Sequence, residues 1–121
     1  MKRGGWGRIV NITSDSLLFT GAGATAYKAS KAGVIGFTRG LAADLGEYGI
    51  TVNAVGPAHT RTPGILESGG AAGLEMSAQR RIIKRIAEPD DVVGTILFLA
   101  SDDSYFVTGQ TIMANGGGGF V

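Results

Sequence analysis

The sequence contains no cysteine and only one histidine, His59. Disulfides and thiolate metal sites are therefore impossible, a histidine cluster cannot be assembled, and no metal is expected. Charge of one sign is also missing. Eleven Lys and Arg stand against 10 Asp and Glu, a net charge of +1. Such a balance leaves no electrostatic footprint for nucleic acid or an anionic membrane, and neither is expected as a partner. The longest apolar stretch, Val92 to Ala100, falls far below the roughly 20 residues that cross a bilayer. The basic start, Met1 to Gly7, has no apolar segment behind it of the kind a signal peptide needs. A cytoplasmic protein is the expectation.

Glycine is the abundant residue, at 21 of 121, against a usual share of about 7%. The glycines follow no three-residue period, which excludes collagen and assigns them to turns, close packing or backbone approach to a ligand. Hydrophobic residues make up 44% and charged residues 17%, a globular rather than a disordered balance. The length suits a single domain, residues 1–121, with one modest core.

Arg8 to Ile12 is a short β-branched run opened by glycines and predicts a strand. Thr13 to Thr25 is rich in Ser, Thr and Gly and predicts a loop. Ala26 to about Glu47 predicts a long helix whose apolar stripe is Val34, Phe37, Leu41 and Leu45. A second stripe, Ala29, Gly33, Gly36 and Gly40, lies roughly opposite, and a face so small lets another backbone come close. Gly49 stops the helix. Ile50 to Val55 predicts a second strand, ended by Gly56-Pro57. Residues 58–80 predict a loop with one short helix. Pro89 precedes a helix from about Asp90 to Ser101, and Gly109 to Ala114 predicts a third strand. Asn115 to Val121 is glycine-rich and predicts a loose end. A β–α–β–loop–α–β order argues for parallel strands joined by helical crossovers.

The chemistry resides in Tyr27-Lys28-Ala29-Ser30-Lys31. Tyr27 and Lys31 are four residues apart, and on a helix they share one face. A free phenol holds its proton up to a pH near 10 and is a poor base at neutral pH. A nearby ammonium favours the phenolate and brings proton transfer within reach. The pair alone is commonly no more than a surface tyrosine beside a solvated lysine.

The surrounding residues give the pair more weight. Tyr27-x-x-x-Lys31 resembles the Tyr-x-x-x-Lys motif of the short-chain dehydrogenase/reductase family, in the context Tyr27-Lys28-Ala29-Ser30-Lys31-Ala32-Gly33-Val34. Ser14 stands thirteen residues earlier, after Gly7-Arg8-Ile9-Val10-Asn11-Ile12-Thr13, in the setting of that family's catalytic serine. Asn53-Ala54-Val55-Gly56-Pro57-Ala58 with Thr62 is similar to the family's Asn-x-Val-x-Pro-Gly-x-x-x-Thr segment. Glu88 to Val92 with Leu97 to Ser101 is similar to its last helix. Thr108-Gly109-Gln110 and Gly116-Gly117 are similar to its last strand and the glycine pair behind that strand. The resemblance covers nearly the whole chain, in order, and corresponds to the family's C-terminal, catalytic half.

Some positions depart from the family pattern. Ala58 replaces the usual Gly, and Asn115 the usual Asp. The family's Thr-Gly-x-x-x-Gly-x-Gly phosphate turn, its Asn-Asn-Ala-Gly segment and its catalytic asparagine have no counterpart. Gly4-Gly5-x-Gly7 precedes a strand instead of opening a helix, and Gly116 to Gly119 lacks a strand-to-helix setting.

The resemblance implies a truncated Rossmann-like, doubly wound α/β fold of about three parallel strands, without the N-terminal dinucleotide-binding half. It implies NAD- or NADP-dependent oxidoreduction of an alcohol/carbonyl pair in a small-molecule substrate. Tyr27 would exchange a proton with the substrate oxygen, Lys31 would assist Tyr27 and hold the nicotinamide ribose, and Ser14 would hold the substrate oxygen. Pro57 and Thr62 would contact the nicotinamide. His59 is read as an ordinary surface residue beside this turn, and residues 64–80 as the variable substrate lid. With half of the cofactor contacts absent, binding of the dinucleotide by this chain is expected to be weak. The small helix face and an open strand edge predict a homo-oligomer. Two rival readings are a non-catalytic oligomerising remnant and a cofactor-free hydrolase using Ser14, Tyr27 and Lys31; no Gly-x-Ser-x-Gly elbow supports the second.

Overall fold

The β-branched run behind Gly7 forms the first strand, β1 (Gly7–Ile12), in a computed structural model that describes all 121 residues. The long helix α1 (Thr25–Leu45) follows, then β2 (Ile50–Pro57), two short helices, α2 (Pro63–Glu67) and α3 (Ala71–Arg80), then α4 (Val93–Ala100) and β3 (Thr111–Ala114). Five 3-10 turns join these elements, including Asp15–Leu18 and Pro89–Val92. The strands form one parallel sheet in the order β1-β2-β3, with Gly7 opposite Ile50 and Ala54 opposite Thr111. This is the Rossmann-like parallel α/β arrangement of three strands that the sequence predicts.

β2 is the central strand, and Ile50 to Gly56 are all buried. Ile50 and Val52 join Ala42 of α1 in the main apolar cluster, with Ile9, Leu41 and Leu45 packed around it. Side chains alternate across a strand, so Ile9 and Asn11 share the α1 face of β1. The Asn11 amide accordingly donates to Thr38 Oγ1 of α1 at 3.0 Å. Arg8 points the other way, where its Nε donates to the Ser101 carbonyl at the end of α4. α1 and α4 therefore cover opposite faces of the sheet.

Between α1 and β2 the backbone needs Gly49, at φ 67°, because a side chain there would strike the Gly5 carbonyl. Asn53 is fully buried and bridges the approach to β3: its amide donates to the Val107 carbonyl at 2.8 Å and its oxygen accepts from the Gln110 N–H at 3.0 Å.

Three expectations are corrected. Phe37 is 60% exposed and lies outside the buried stripe, which runs through Val34, Thr38, Leu41, Ala42 and Leu45. At about 100° per residue, Phe37 is turned roughly a quarter circle from Thr38, toward the glycine face. The region 58–80 is mostly helical. Thr62 caps α2, Pro63 fits its first turn, and Leu74 and Ala78 bury one face of α3. Asn115 to Gly119 is packed rather than loose: the Asn115 amide donates to the Gly119 carbonyl at 3.0 Å, and Gly117 leaves no room for a Cβ beside Ile82.

Candidate active site

β1 ends at Ile12, and the chain turns at once into buried Thr13 and Ser14. Ser14 is extended and caps the Asp15–Leu18 turn, its Oγ accepting from the Ser16 N–H at 3.1 Å. The same hydroxyl keeps its own hydrogen for another acceptor. α1 then runs back past this point and carries Tyr27 and Lys31 one turn apart. The Lys31 ammonium donates to the Ile12 carbonyl at 3.1 Å and lies 5.7 Å from the centre of the Tyr27 ring. Thr13 returns the tie, its hydroxyl donating to the Lys31 carbonyl at 2.9 Å. Tyr27 is half exposed, and its hydroxyl has no partner within the chain.

β2 ends beside β1 at Pro57, because the strands are parallel. Its outgoing loop leads to Thr62, whose Oγ1 accepts from the Ile65 N–H at the start of α2. Ser14, Tyr27, Pro57 and Thr62 therefore line one cleft of about 790 Å³, roofed by α2 and α3. It opens at the carboxyl ends of β1 and β2, where open α/β sheets bind ligands. Lys31 is not part of the cleft wall and reaches the site from behind Tyr27. His59 is half-buried in the wall, its ring against Gly73, and so is less exposed than expected. Lys28 holds the loop before α1 in place by donating to the Phe19 carbonyl at 2.6 Å.

Sequence reasoning missed Asp15 and Arg81, both in this cleft wall. Asp15 is only 6% exposed and accepts no hydrogen bond within the chain. Burial pushes its carboxyl up to about 6, and the charge of Arg81 opposes that rise. Arg81 is 3% exposed and donates to the carbonyls of Arg85 and His59 and to Ser77 Oγ. Its Nε is buried without a partner. The position of Asp15 next to Ser14 was the available signal. Nothing in the sequence announced Arg81, which sits in a run of charged and apolar residues at the end of α3.

Nicotinamide dinucleotide is the group this fold implies. The chain fits its nicotinamide end: the Tyr27 hydroxyl is unpartnered, Lys31 spends only one of its three protons, and Thr62 retains a hydroxyl hydrogen. The pyrophosphate end has no counterpart, since no short glycine turn leads from a strand directly into a helix. No group of three or more acidic or histidine side chains could hold a metal, and no helix is long and apolar enough to cross a membrane.

The chain is similar to known proteins over most of its length. The sequence model of the family described as enoyl-(acyl carrier protein) reductase matches residues 1–118. The chain is 48% identical over 111 residues to the (2S)-[(R)-hydroxy(phenyl)methyl]succinyl-CoA dehydrogenase subunit BbsD of Thauera aromatica, covering 92% of the chain and 44% of that protein. It is 43% identical over 111 residues to a 3-oxoacyl-[acyl-carrier-protein] reductase of Thermotoga maritima, covering 92% of the chain and 45% of that protein. A crystal structure provisionally described as a gluconate dehydrogenase from Agrobacterium tumefaciens superposes with a TM-score of 0.89 at 34% identity, over 97% of this chain and 47% of that one. The chain thus spans about half the length of these relatives. With the match running through strands, cleft and closing loop alike, the chain belongs to the short-chain dehydrogenase/reductase family.

Proposed function

We propose that this chain carries the catalytic side of an NAD- or NADP-dependent oxidoreductase that interconverts an alcohol and a carbonyl. The observation that supports this most is the shared cleft. Ser14 and Tyr27 line it together, and Lys31 backs Tyr27 while tied to the end of β1.

The roles rest on the hydrogen bonds. Ser14 Oγ accepts from the Ser16 N–H, which leaves its own hydrogen free for a substrate oxygen in the cleft. The Tyr27 hydroxyl, free of protein partners, exchanges a proton with that same oxygen. The Lys31 ammonium stabilises the negative charge that develops on the phenol oxygen. The nicotinamide ring, when bound, supplies the two-electron donor or acceptor. Lys31, Pro57 and Thr62 are the groups that would hold its end of the dinucleotide. Phe19, Ile65 and Met76 give the cleft apolar surface for the rest of the substrate.

Two further features belong to this reading. Dinucleotide binding by the 121 residues alone is weak, because the chain offers contacts to only one end of the cofactor. The chain also self-associates. The outer edge of β1 pairs with no strand of the chain, and Gly33, Gly36 and Gly40 present an open face on α1.

The test is titration with NADH and NADPH by calorimetry, followed by turnover assays with simple secondary alcohols. Expected are dissociation constants weaker than micromolar, and turnover that disappears in Tyr27→Phe. Turnover independent of Tyr27 would refute the assignment.

A further inference from the structure

Ser14, Tyr27 and Lys31 account for the proposed proton transfer and leave Asp15 without a task. Yet Asp15 is the residue after Ser14 and lines the same cleft. Both residues line the cleft from one short stretch of chain, so a ligand that fills it meets both. Asp15 is 6% exposed, and its carboxylate accepts nothing from the protein. Its oxygens are not sealed off, and the space they face is the cleft. Arg81 does not satisfy the carboxylate. Its Nη1 and Nη2 groups are committed to the Arg85 and His59 carbonyls and Ser77 Oγ, and neither an ion pair nor a hydrogen bond joins it to Asp15. The adjoining Ser16 hydroxyl is buried without a partner. This turn therefore presents an unanswered acceptor to whatever fills the cleft.

We propose that Asp15 is a specificity-determining residue of this cleft, accepting a hydrogen bond from a second hydroxyl of the substrate adjacent to the carbon that reacts. The substrate class is a vicinal diol or its α-hydroxycarbonyl counterpart, on a largely hydrocarbon frame. The rest of the wall narrows the choice. Phe19, Ile65, Met76 and Val92 suit hydrocarbon. A carboxylate beside the reacting carbon is repelled by Asp15. An ammonium is opposed by Lys28, Arg80 and Arg81, which line the same cleft. A neutral hydroxyl satisfies the acceptor without either conflict. The proposal rests on the oxidoreductase reading for the reaction itself, but its binding step stands apart from that reaction.

The experiment is a titration of the 121-residue chain, without dinucleotide, monitored through amide chemical shifts in NMR spectra. The probes are trans-1,2-cyclohexanediol, cyclohexanol and trans-2-aminocyclohexanol. A hydrogen bond to a carboxylate in the cleft wall predicts that the diol binds about tenfold more tightly than cyclohexanol. The amino alcohol should bind more weakly than the diol. In Asp15→Leu the ratio of diol to cyclohexanol affinity should collapse to near one. Asp15→Asn keeps one acceptor oxygen and should retain part of the preference; it also serves if the leucine variant loses the folded amide pattern. Equal affinity for diol and cyclohexanol in the wild type, no detectable binding of either, or a preference that survives both substitutions would overturn the proposal. Tighter binding of the amino alcohol would overturn it too. A diol preference without any Tyr27-dependent turnover would support Asp15 while refuting the oxidoreductase reading; Tyr27-dependent turnover without the preference would do the reverse.

Discussion

The ammonium of Lys31 donates to the main-chain carbonyl of Ile12, 3.1 Å away, and so joins the second turn of α1 to the last residue of β1. Thr13 repeats the junction in the opposite sense, donating its hydroxyl to the Lys31 carbonyl at 2.9 Å. Lys31 therefore fixes the position of the helix that carries Tyr27, in addition to placing a charge behind it.

These two jobs can be separated. Lys31→Ala should lower turnover by about 100-fold and stability by about 1 kcal/mol. Thr13→Val removes only the returning bond, and should cost about 1 kcal/mol in urea unfolding with a much smaller loss of turnover. Equal losses of turnover in both variants would show that Lys31 acts by position alone.

Tyr27 makes the opposite case. Its ring is half exposed and its hydroxyl bonds to nothing in the chain. Tyr27→Phe should leave the melting temperature unchanged while lowering turnover by roughly 100- to 10,000-fold. A stability loss above about 1 kcal/mol would mean that the hydroxyl has a protein partner.

Asp15 links the site to pH. Its carboxyl is held up at about 6 by burial, against an ordinary 3.8, with Arg81 opposing. Between those values the folded chain keeps a proton that the unfolded chain has lost. The stability this group contributes is thus complete below pH 3.8 and lost as the pH rises through about 6. Asp15→Asn should exceed the wild type at about pH 8 by on the order of 1–2 kcal/mol, water in the cleft screening part of the effect. The two should converge near pH 4 in urea titrations. Asp91 works in the other direction: hydrogen bonds from Arg85 and from the Glu88 N–H hold it down at about 2, so its contribution is lost only as the pH falls that far.

The glycine face of α1 yields a prediction about assembly. A side chain at Gly33, Gly36 or Gly40 would meet no atom of the chain within 4 Å. Gly36→Arg should therefore leave the protomer folded, with a gain of up to about 1 kcal/mol in helix propensity. If the face packs against a second copy, the same substitution should shift sedimentation from dimer to monomer. A wild type that sediments as a monomer at micromolar concentration would refute self-association.

Asn53 is held between β2 and the approach to β3. Asn53→Ala would strand the Val107 carbonyl and the Gln110 N–H together. A loss of about 2–4 kcal/mol in chemical unfolding is expected. A loss below about 1 kcal/mol would show that these groups find other partners.

The local pattern of the sequence determined the strands, the long helix and the parallel order. Each rests on nearest-neighbour chemistry: β-branched runs, a 3.6-residue apolar period, and glycine or proline at the breaks. The pairing of Tyr27 with Lys31 was equally legible, because helix geometry alone fixes a four-residue spacing. Ser14 entered through the family resemblance, thirteen residues before Tyr27, but only the parallel sheet put both on one cleft with Pro57 and Thr62. The rotation of α1 was decided by tertiary packing. Thr38 is buried because Asn11 on β1 offers it a hydrogen bond, and Phe37 is left outside although it is far more apolar. Asn115 to Gly119 is packed for a similar reason, since Asn115 closes the run on itself and Ile82 fills the space the glycines leave. Asp15 and Arg81 lie 66 positions apart in the sequence, so no local pattern could relate them. Their burial in one wall, and the resulting rise of the Asp15 carboxyl, exist only once α3 folds over the end of β1.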